Sequence, residues 1–543
     1  MCGEACRGWG REGSVAAVKH EAPIFHFNEE RSFIVEEVVG RIGRATADPL
    51  LLLNDAAYHE TRRLEPNPGN ERPDLERFRD LARSVGKLSE EGRRARLEAL
   101  ARRWADDIAG NFNPKVYGLS TQALPRALAL LLSPKDFSEG FRSAGRLQKH
   151  LVTQGPLDTI RSLATHGTVV FVPTHLSNLD SVVFGFALHR EGLPPVSYGA
   201  GKNLFANPFL SFFMRNLGAY RVDRRVRAEL YKEVLKTYST VLIERGYHSL
   251  FFPGGTRSRS GLVEERLKLG LMGTGVEAFV HSLRRGHPQR VFFVPSTINY
   301  LLTLEASTLM ADYLAEVGKT RYIIDDDEST QIERIVTLVR KLVMTTGSVV
   351  IRFGHPIDPF GNRVTADGRS VDLRGRTVDP ASYVTLDGVA TIDPARDAQY
   401  TRELGETICA AYARETVILP THVVAAAAFA RLREAHPRDD LFQLVRRRDE
   451  VFLPFDEAER RVADLLQKLR AAEDAERLVL GPGVRAARPM ELVAEANRAW
   501  SGYHSHAVLA PVDGGYMLSD LNLLLYYQNR LATSGLAFHP GRR

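Results

Sequence analysis

The chain is 543 residues long, 44% hydrophobic and 25% charged, with a net charge of +6 at pH 7. That composition excludes a collagen, a globally disordered chain and a disulfide scaffold, and the length calls for roughly two to four structural units. Of 72 basic residues sixty are Arg, whose planar fork suits phosphate and carboxylate, so a nucleic acid, an anionic membrane surface, an acidic carrier protein or a phosphorylated metabolite all qualify as partners at this level.

Residues 1–28 have no apolar stretch behind their basic residues, so they read as a flexible segment and not as a secretory signal. The three cysteines, Cys2, Cys6 and Cys409, are too few and too unevenly placed for a disulfide framework and point to a reducing compartment. Cys2 and Cys6 lack a second ligand pair, so no metal is expected. Residues 29–154 read as a helical domain. Apolar and charged residues recur at helical spacing over 31–45, 74–84 and 91–112, and Pro66, Pro68 and Gly69 break the pattern between two of these helices.

The pattern changes near Gly155. Apolar β-rich runs at 168–173, 196–200, 249–253, 291–295 and 348–353 alternate with helical segments at 180–190, 207–217, 227–245, 270–285 and 329–346. Strands alternating with helices predict an α/β unit over 155–357, with a site built from the loops at one sheet edge. Residues 358–397 turn to Gly, Asp, Arg and Pro. There Gly-Arg-Ser-Val-Asp at 368–372 is echoed by Gly-Arg-Thr-Val-Asp at 375–379, which predicts a surface excursion. Residues 398–543 return to helical spacing at 403–416, 420–435, 457–476 and 519–533 and read as a helical C-terminal region. No run approaches the ~20 apolar residues of a membrane span; the longest are 127–132 and 423–430. Any contact with a bilayer is therefore expected from its surface, peripheral or monotopic, on the cytoplasmic face. Residues 207–217, with five large apolar side chains between Phe209 and Met214, fit either a helix that dips into the interface or lines an acyl groove, or an ordinary buried helix.

Four short segments carry chemistry. In 173–181, Pro-Thr-His-Leu-Ser-Asn-Leu-Asp-Ser, His175 follows a buried strand and Asp180 opens a helical run. A carboxylate within reach of Nδ1–H fixes the imidazole tautomer and leaves Nε2 as a base; alone, the same residues also fit a plain helix cap and a polar loop. In 251–261, Phe-Phe-Pro-Gly-Gly-Thr-Arg-Ser-Arg-Ser-Gly, Gly255 lets the backbone approach an anion. Thr256 and Ser258 add hydroxyls there, and Arg257 and Arg259 add two guanidinium forks. This chemistry fits a phosphate, without the Gly-Lys-Ser/Thr of a P-loop. In 218–225, Arg221 and Arg224 stand beside Asp223, and either can serve as a phosphate contact. Val294-Pro295 ends the fourth strand run.

Taken together these segments resemble the glycerophosphate acyltransferase superfamily over about residues 155–355. His175 and Asp180 stand where its His-x4-Asp block stands, 218–225 looks like its second block, 252–258 like its third and Val294-Pro295 like its fourth. The flanking helical regions, the Arg-Ser-Arg-Ser-Gly extension and Leu523–Arg530 look more like the large glycerol-3-phosphate acyltransferases than the small lysophosphatidate acyltransferases. The resemblance implies an O-acyltransferase that moves a fatty acyl group from acyl-CoA or acyl carrier protein to a hydroxyl of glycerol 3-phosphate, an early step of phospholipid synthesis. It implies His175 as general base, Asp180 as its orienter, and Arg221, Arg224, Gly255, Thr256, Arg257, Ser258, Arg259 and Pro295 as substrate contacts. It implies no metal and no cofactor beyond the donor substrate. The alternatives are 1-acylglycerol 3-phosphate or dihydroxyacetone phosphate as acceptor, or a non-catalytic relative that binds anionic lipid. A nucleic-acid partner is not expected, because no basic stretch is interleaved with aromatics. One departure stands out: Gly254 occupies the place of the family's third-block Glu. That implies an altered acceptor, compensation by Glu264 or Glu265, or reduced activity.

Overall fold

The alternating runs between Leu151 and Phe353 build one seven-stranded sheet of β1 (Leu151–Gln154), β2 (Thr168–Pro173), β3 (Ser197–Gly201), β4 (Ala219–Val222), β5 (Ser249–Leu250), β6 (Val291–Tyr300) and β7 (Val349–Phe353), in the spatial order β1-β7-β6-β2-β5-β3-β4. The molecule is seen in a computed structural model that describes residues 22–67, 69–121, 151–202, 205, 208–286, 289–303, 305–317, 349–447, 451–504 and 506–539. The expected helix at 329–346, the apolar run at 127–132, and Cys2 and Cys6 lie outside the described residues.

Strand β2 runs parallel to β6, from Thr168 opposite Val291 to Pro173 opposite Ser296, and parallel to β5 on its other side. All six of its residues are buried, which is why it reads as a continuous apolar run and not as an alternation. One face of the sheet packs Phe171, Phe184, Val294 and Phe353 together. The other packs Val172, Phe279, Phe293 and Tyr412. The strand expected to stop at Pro295 instead continues to Tyr300, because β7 pairs with it antiparallel from Ser296 opposite Phe353 to Tyr300 opposite Val349. Pro295 falls where the second partner of β6 changes from Ile357 to β7, and its carbonyl accepts the Gly354 N–H at 2.7 Å. A ladder break of this kind tolerates a residue without an N–H.

The N-terminal helices Phe27–Ala45, Pro49–Leu64, Arg72–Ser84 and Glu90–Ile108 have local causes. Asp48 caps the second by accepting Leu50 N and Leu51 N, and Ser89 caps the fourth by accepting Gly92 N at 3.1 Å. Their apolar faces share one core with Tyr220, Tyr231, Tyr238 and the helix Glu229–Glu244 of the α/β unit. Both expected boundaries of this region shift. Ile24 and Phe27 are already buried in that core, so order begins before residue 29. Leu151–Gln154 leaves the helical region to form the sheet edge, pairing parallel with β7.

The excursion at 358–397 consists of two-residue strands joined by tight turns. Its repeated Gly-Arg dipeptides mark two equivalent turns: Gly368 (φ 82°) donates to Thr365 O and Gly375 (φ 79°) to Asp372 O, each at 2.9 Å. Beyond it the C-terminal region is not purely helical. Besides the helices Pro394–Glu415, Pro420–Ala435, Phe455–Asp474, Pro489–Tyr503 and Leu521–Gln528 it contains a three-stranded antiparallel sheet of Phe452–Pro454, Gly515–Leu518 and Leu509–Val512. The tight turn at Asp513-Gly514, with Gly514 at φ 79°, closes that hairpin. The core of this region includes Leu301, Leu302 and Val350 of the α/β unit, so the C-terminal region is packed against the end of β6. No helix among the described residues is long and apolar enough to cross a membrane.

Candidate active site

The site forms where the chain leaves the C-terminal ends of β2, β4 and β5, the edge at which a parallel α/β sheet leaves a crevice for ligands. The turn after β2 carries His175, and the helix Asp180–Arg190 starts five residues later. That spacing brings Asp180 back onto the turn. Its Oδ2 accepts His175 Nδ1 at 2.8 Å, Leu176 N at 2.7 Å and Ser177 N at 3.0 Å, and its Oδ1 accepts the Tyr300 hydroxyl at 2.6 Å. Asp180 is fully buried, and four donors engage its two oxygens. With Nδ1–H bonded to Asp180, Nε2 is the basic nitrogen of His175, and it makes no hydrogen bond among the described residues. The ring stacks on Phe252, centroids 4.3 Å apart and planes 25° from parallel.

The loop after β5 meets the same turn. Ser258 N donates to His175 O at 2.7 Å, and His175 N donates to Glu264 Oε1 at 2.9 Å. Arg257 reaches Glu305 Oε1 at 3.2 Å, and Glu305 also accepts Asn178 N and Ser177 Oγ, each at 3.0 Å. Burial pushes the Glu305 carboxyl above its usual range, opposed by the Arg257 charge. Gly255 lies at φ 76°, in the left-handed region that side-chain-bearing residues rarely adopt. The loop therefore needs Gly at this position. From the turn after β4, Arg224 stands near Arg257: loss of hydration and then the Arg257 charge lower its guanidinium pKa. No carboxylate pairs with Arg224 among the described residues. Two neighbouring guanidiniums, one of them without a counter-ion, form a site primed for an anion.

Residues 157–298 match the family model described as Acyltransferase. The chain is 27% identical over 268 residues to the glycerol-3-phosphate acyltransferase of Pseudomonas paraeruginosa, an alignment covering 47% of this chain and 29% of that one. It is 35% identical over 153 residues to the glycerol-3-phosphate acyltransferase of Actinobacillus pleuropneumoniae, covering 28% and 18%. The chain carries an acyltransferase domain of the glycerophosphate acyltransferase superfamily. It spans less than a third of the length of the curated relatives it matches. Among solved structures, the 1-acyl-sn-glycerophosphate acyltransferase of Thermotoga maritima aligns with 54% of this chain and 90% of its own, at 14% identity and a TM-score of 0.25, a likeness too slight to bear on the site.

Within the acyltransferase domain the expected site residues separate. His175, Asp180, Arg257 and Ser258 are joined at one turn, with Ser258 Oγ spent on Leu262 O at 2.7 Å; Gly255 lies on the Arg257 loop, and Arg224 senses the Arg257 charge. Thr256 is exposed on the same loop. Arg259 points away to Glu316 at 2.6 Å. Arg221 turns to the N-terminal helices, bonded to Asp107 at 2.7 Å and set over the Phe205 ring. Pro295 is buried inside β6, where only its packing borders the site. Two residues that the sequence did not single out, Tyr300 and Glu305, bond to Asp180 and to Arg257. Glu305 had a signal: a lone carboxylate just beyond an apolar strand is a candidate buried charge.

Proposed function

We propose that the protein transfers a fatty acyl group from an acyl thioester, acyl-CoA or acyl carrier protein, to a hydroxyl of glycerol 3-phosphate. The observation that carries this reading is His175 itself: its Nδ1 is bonded to a buried carboxylate at 2.8 Å, while Nε2 has no hydrogen-bond partner among the described residues, on a turn that the Arg257–Ser258 loop meets. The acceptor hydroxyl gives its proton to Nε2 as its oxygen attacks the thioester carbonyl. The tetrahedral intermediate collapses with cleavage of the C–S bond, and the imidazolium returns the proton to the leaving thiolate. Asp180 orients the ring and stabilises the imidazolium. No side-chain nucleophile is needed, because the substrate brings the hydroxyl, and the proton count closes without a cofactor or metal.

Arg257 and Arg224 hold the acceptor phosphate, and the rate enhancement comes largely from fixing its hydroxyl within reach of Nε2. Names of the relatives that share the domain support glycerol 3-phosphate as acceptor. The half-exposed Phe212 of helix Pro208–Asn216 supports contact with a membrane surface, where both the acyl chain and the product reside. Liposome flotation of a Phe212→Asp variant checks this: reduced flotation is expected, and equal flotation removes Phe212 from the contact. The transfer reading is tested by an assay of the purified chain against glycerol 3-phosphate, 1-acylglycerol 3-phosphate and dihydroxyacetone phosphate with both donor types. Turnover on glycerol 3-phosphate that His175→Ala abolishes is expected. An active His175→Ala protein would sink the mechanism.

A further inference from the structure

We infer that Glu264 is a positioning residue for His175, seated against the open face of Gly254. This inference rests on the acyl-transfer reading for its kinetic consequences, not for its geometry.

Three contacts fix His175. Asp180 holds its ring, Ser258 N holds its carbonyl, and Glu264 Oε1 takes its backbone N–H. The first two come from its own turn and from the phosphate loop. The third comes from the stretch beyond that loop, so the base is braced from behind by a residue that faces no substrate. Removing Glu264 leaves a backbone N–H without an acceptor on the residue that carries out the proton transfer.

The Glu264 side chain lies close against Gly254, where even a Cβ would be a tight contact. A Cβ on Gly254 would lie 3.3 Å from Glu264 Cγ and 3.4 Å from Oε1. Anything longer at 254 would enter the volume that the Glu264 carboxyl fills. A Glu at 254 and a Glu at 264 are thus alternatives for one space, and this chain uses the second.

The C-terminal region also reaches this loop. Arg530 lies in the turn Asn529–Leu531 and is only 3% exposed. Its Nη2 bonds Asn299 Oδ1 at 2.9 Å, while Nε and Nη1 have no partner. Glu264 Oε2 is buried and likewise without a partner. Burial pushes the Glu264 carboxyl above its usual range, opposed by the His175 N–H bond and then by the Arg530 charge. The turn is pinned to the phosphate loop by Asn529 Nδ2 donating to Ser260 O at 2.8 Å. The C-terminal region therefore completes the support of the acyltransferase site.

The test combines kinetics with hydrogen exchange at the His175 amide, whose protection does not depend on activity. Glu264→Ala is expected to lower kcat about 30-fold with acceptor KM changed less than about threefold, the signature of a misplaced base. Exchange at His175 should become about tenfold faster. Glu264→Gln keeps the Oε1 acceptor and should retain the slow exchange. Gly254→Glu should lose activity by crowding Glu264, and the Gly254→Glu/Glu264→Ala double variant should recover at least tenfold over Gly254→Glu, an exchange of positions that a purely structural role would not produce. Unchanged exchange in Glu264→Ala, or a double variant no more active than the single ones, overturns the inference. If Glu264→Ala does not fold, Gly254→Glu decides: unchanged exchange and kinetics overturn it. Wild-type protein that acylates no glycerophosphate would refute the transfer reading, and the exchange result would still decide the role of Glu264.

Discussion

Glu305 ties Arg257 to the turn that carries His175. Its Oε1 accepts both Arg257 Nη1 at 3.2 Å and Asn178 N at 3.0 Å, and its Oε2 accepts Ser177 Oγ. One buried side chain thus ties the Arg257 guanidinium to the turn of His175. Glu305→Ala removes one partner of Arg257 and strands two donors of the turn. Acceptor KM should rise about tenfold with kcat within about threefold, since the loss falls on binding. Stability should drop by about 1–3 kcal/mol for the stranded donors. Steady-state kinetics and urea unfolding read the two effects.

Asp180 differs from Glu305 in how fully its acceptors are committed. Asp180→Asn offers one oxygen where two accept four donors, and its amide N–H₂ meets His175 Nδ1 or a backbone N–H. The imidazole then adopts the wrong tautomer, and turnover should fall about 10³–10⁴-fold. Tyr300→Phe removes one donor to Oδ1 and leaves the Oδ2 contacts in place, so a loss of only about three- to tenfold is expected. If the two variants lose activity equally in kcat measurements, the tautomer argument fails.

The Arg residues of the second segment should separate in the same assay. Arg224 has no carboxylate partner among the described residues and senses Arg257, whereas Arg221 is committed to Asp107. Arg224→Ala should raise acceptor KM about tenfold or more, as for a charge-assisted phosphate contact. Arg221→Ala should leave kinetics within about twofold, because it loses a half-exposed ion pair distant from the base. The reverse ranking would move the phosphate to Arg221.

The sequence disclosed the parts of the site that are local and left hidden those that are not. His175 and Asp180 are five residues apart on one turn, and β2 is bounded in the structure as its apolar run suggests, at 168–173. Helix 420–435 also matches, because Pro420 sets its start. Tyr300 was hidden because Pro295 looked like the end of its strand; only the pairing with β7, some fifty residues on, carries β6 past it. Arg221 and Arg224 are indistinguishable three residues apart in a charged run. What separates them is Asp107, which the N-terminal helices bring to one and not the other. The C-terminal hairpin had a legible signal at Asp513-Gly514, overridden by the helical spacing on either side.

Two buried histidines make stability depend on pH. His248 Nδ1 accepts Val169 N at 3.0 Å and His422 Nδ1 accepts Leu419 N at 3.1 Å. Each is neutral in the fold, and protonation would replace an acceptor with a donor facing an N–H. Burial pushes His248 down to about 4, and burial together with the Arg530 charge pushes His422 down to about 3, from an ordinary 6.5. The folded pKa lies below the unfolded one in both cases, so the unfolded chain takes up protons that the fold refuses. Stability from each is therefore complete above pH 6.5 and is lost as pH falls towards the folded value. Between pH 7 and pH 5 the loss is about 2 kcal/mol per histidine, at ~1.4 kcal/mol for each unit of pKa difference exposed. Urea unfolding of wild type, His248→Gln and His422→Gln at both pH values isolates the terms. Gln keeps an acceptor for the N–H and does not titrate, so each substitution should shrink the pH 7-to-5 difference by about that amount. A difference that stays at the wild-type value in both variants would assign the acid sensitivity to other groups.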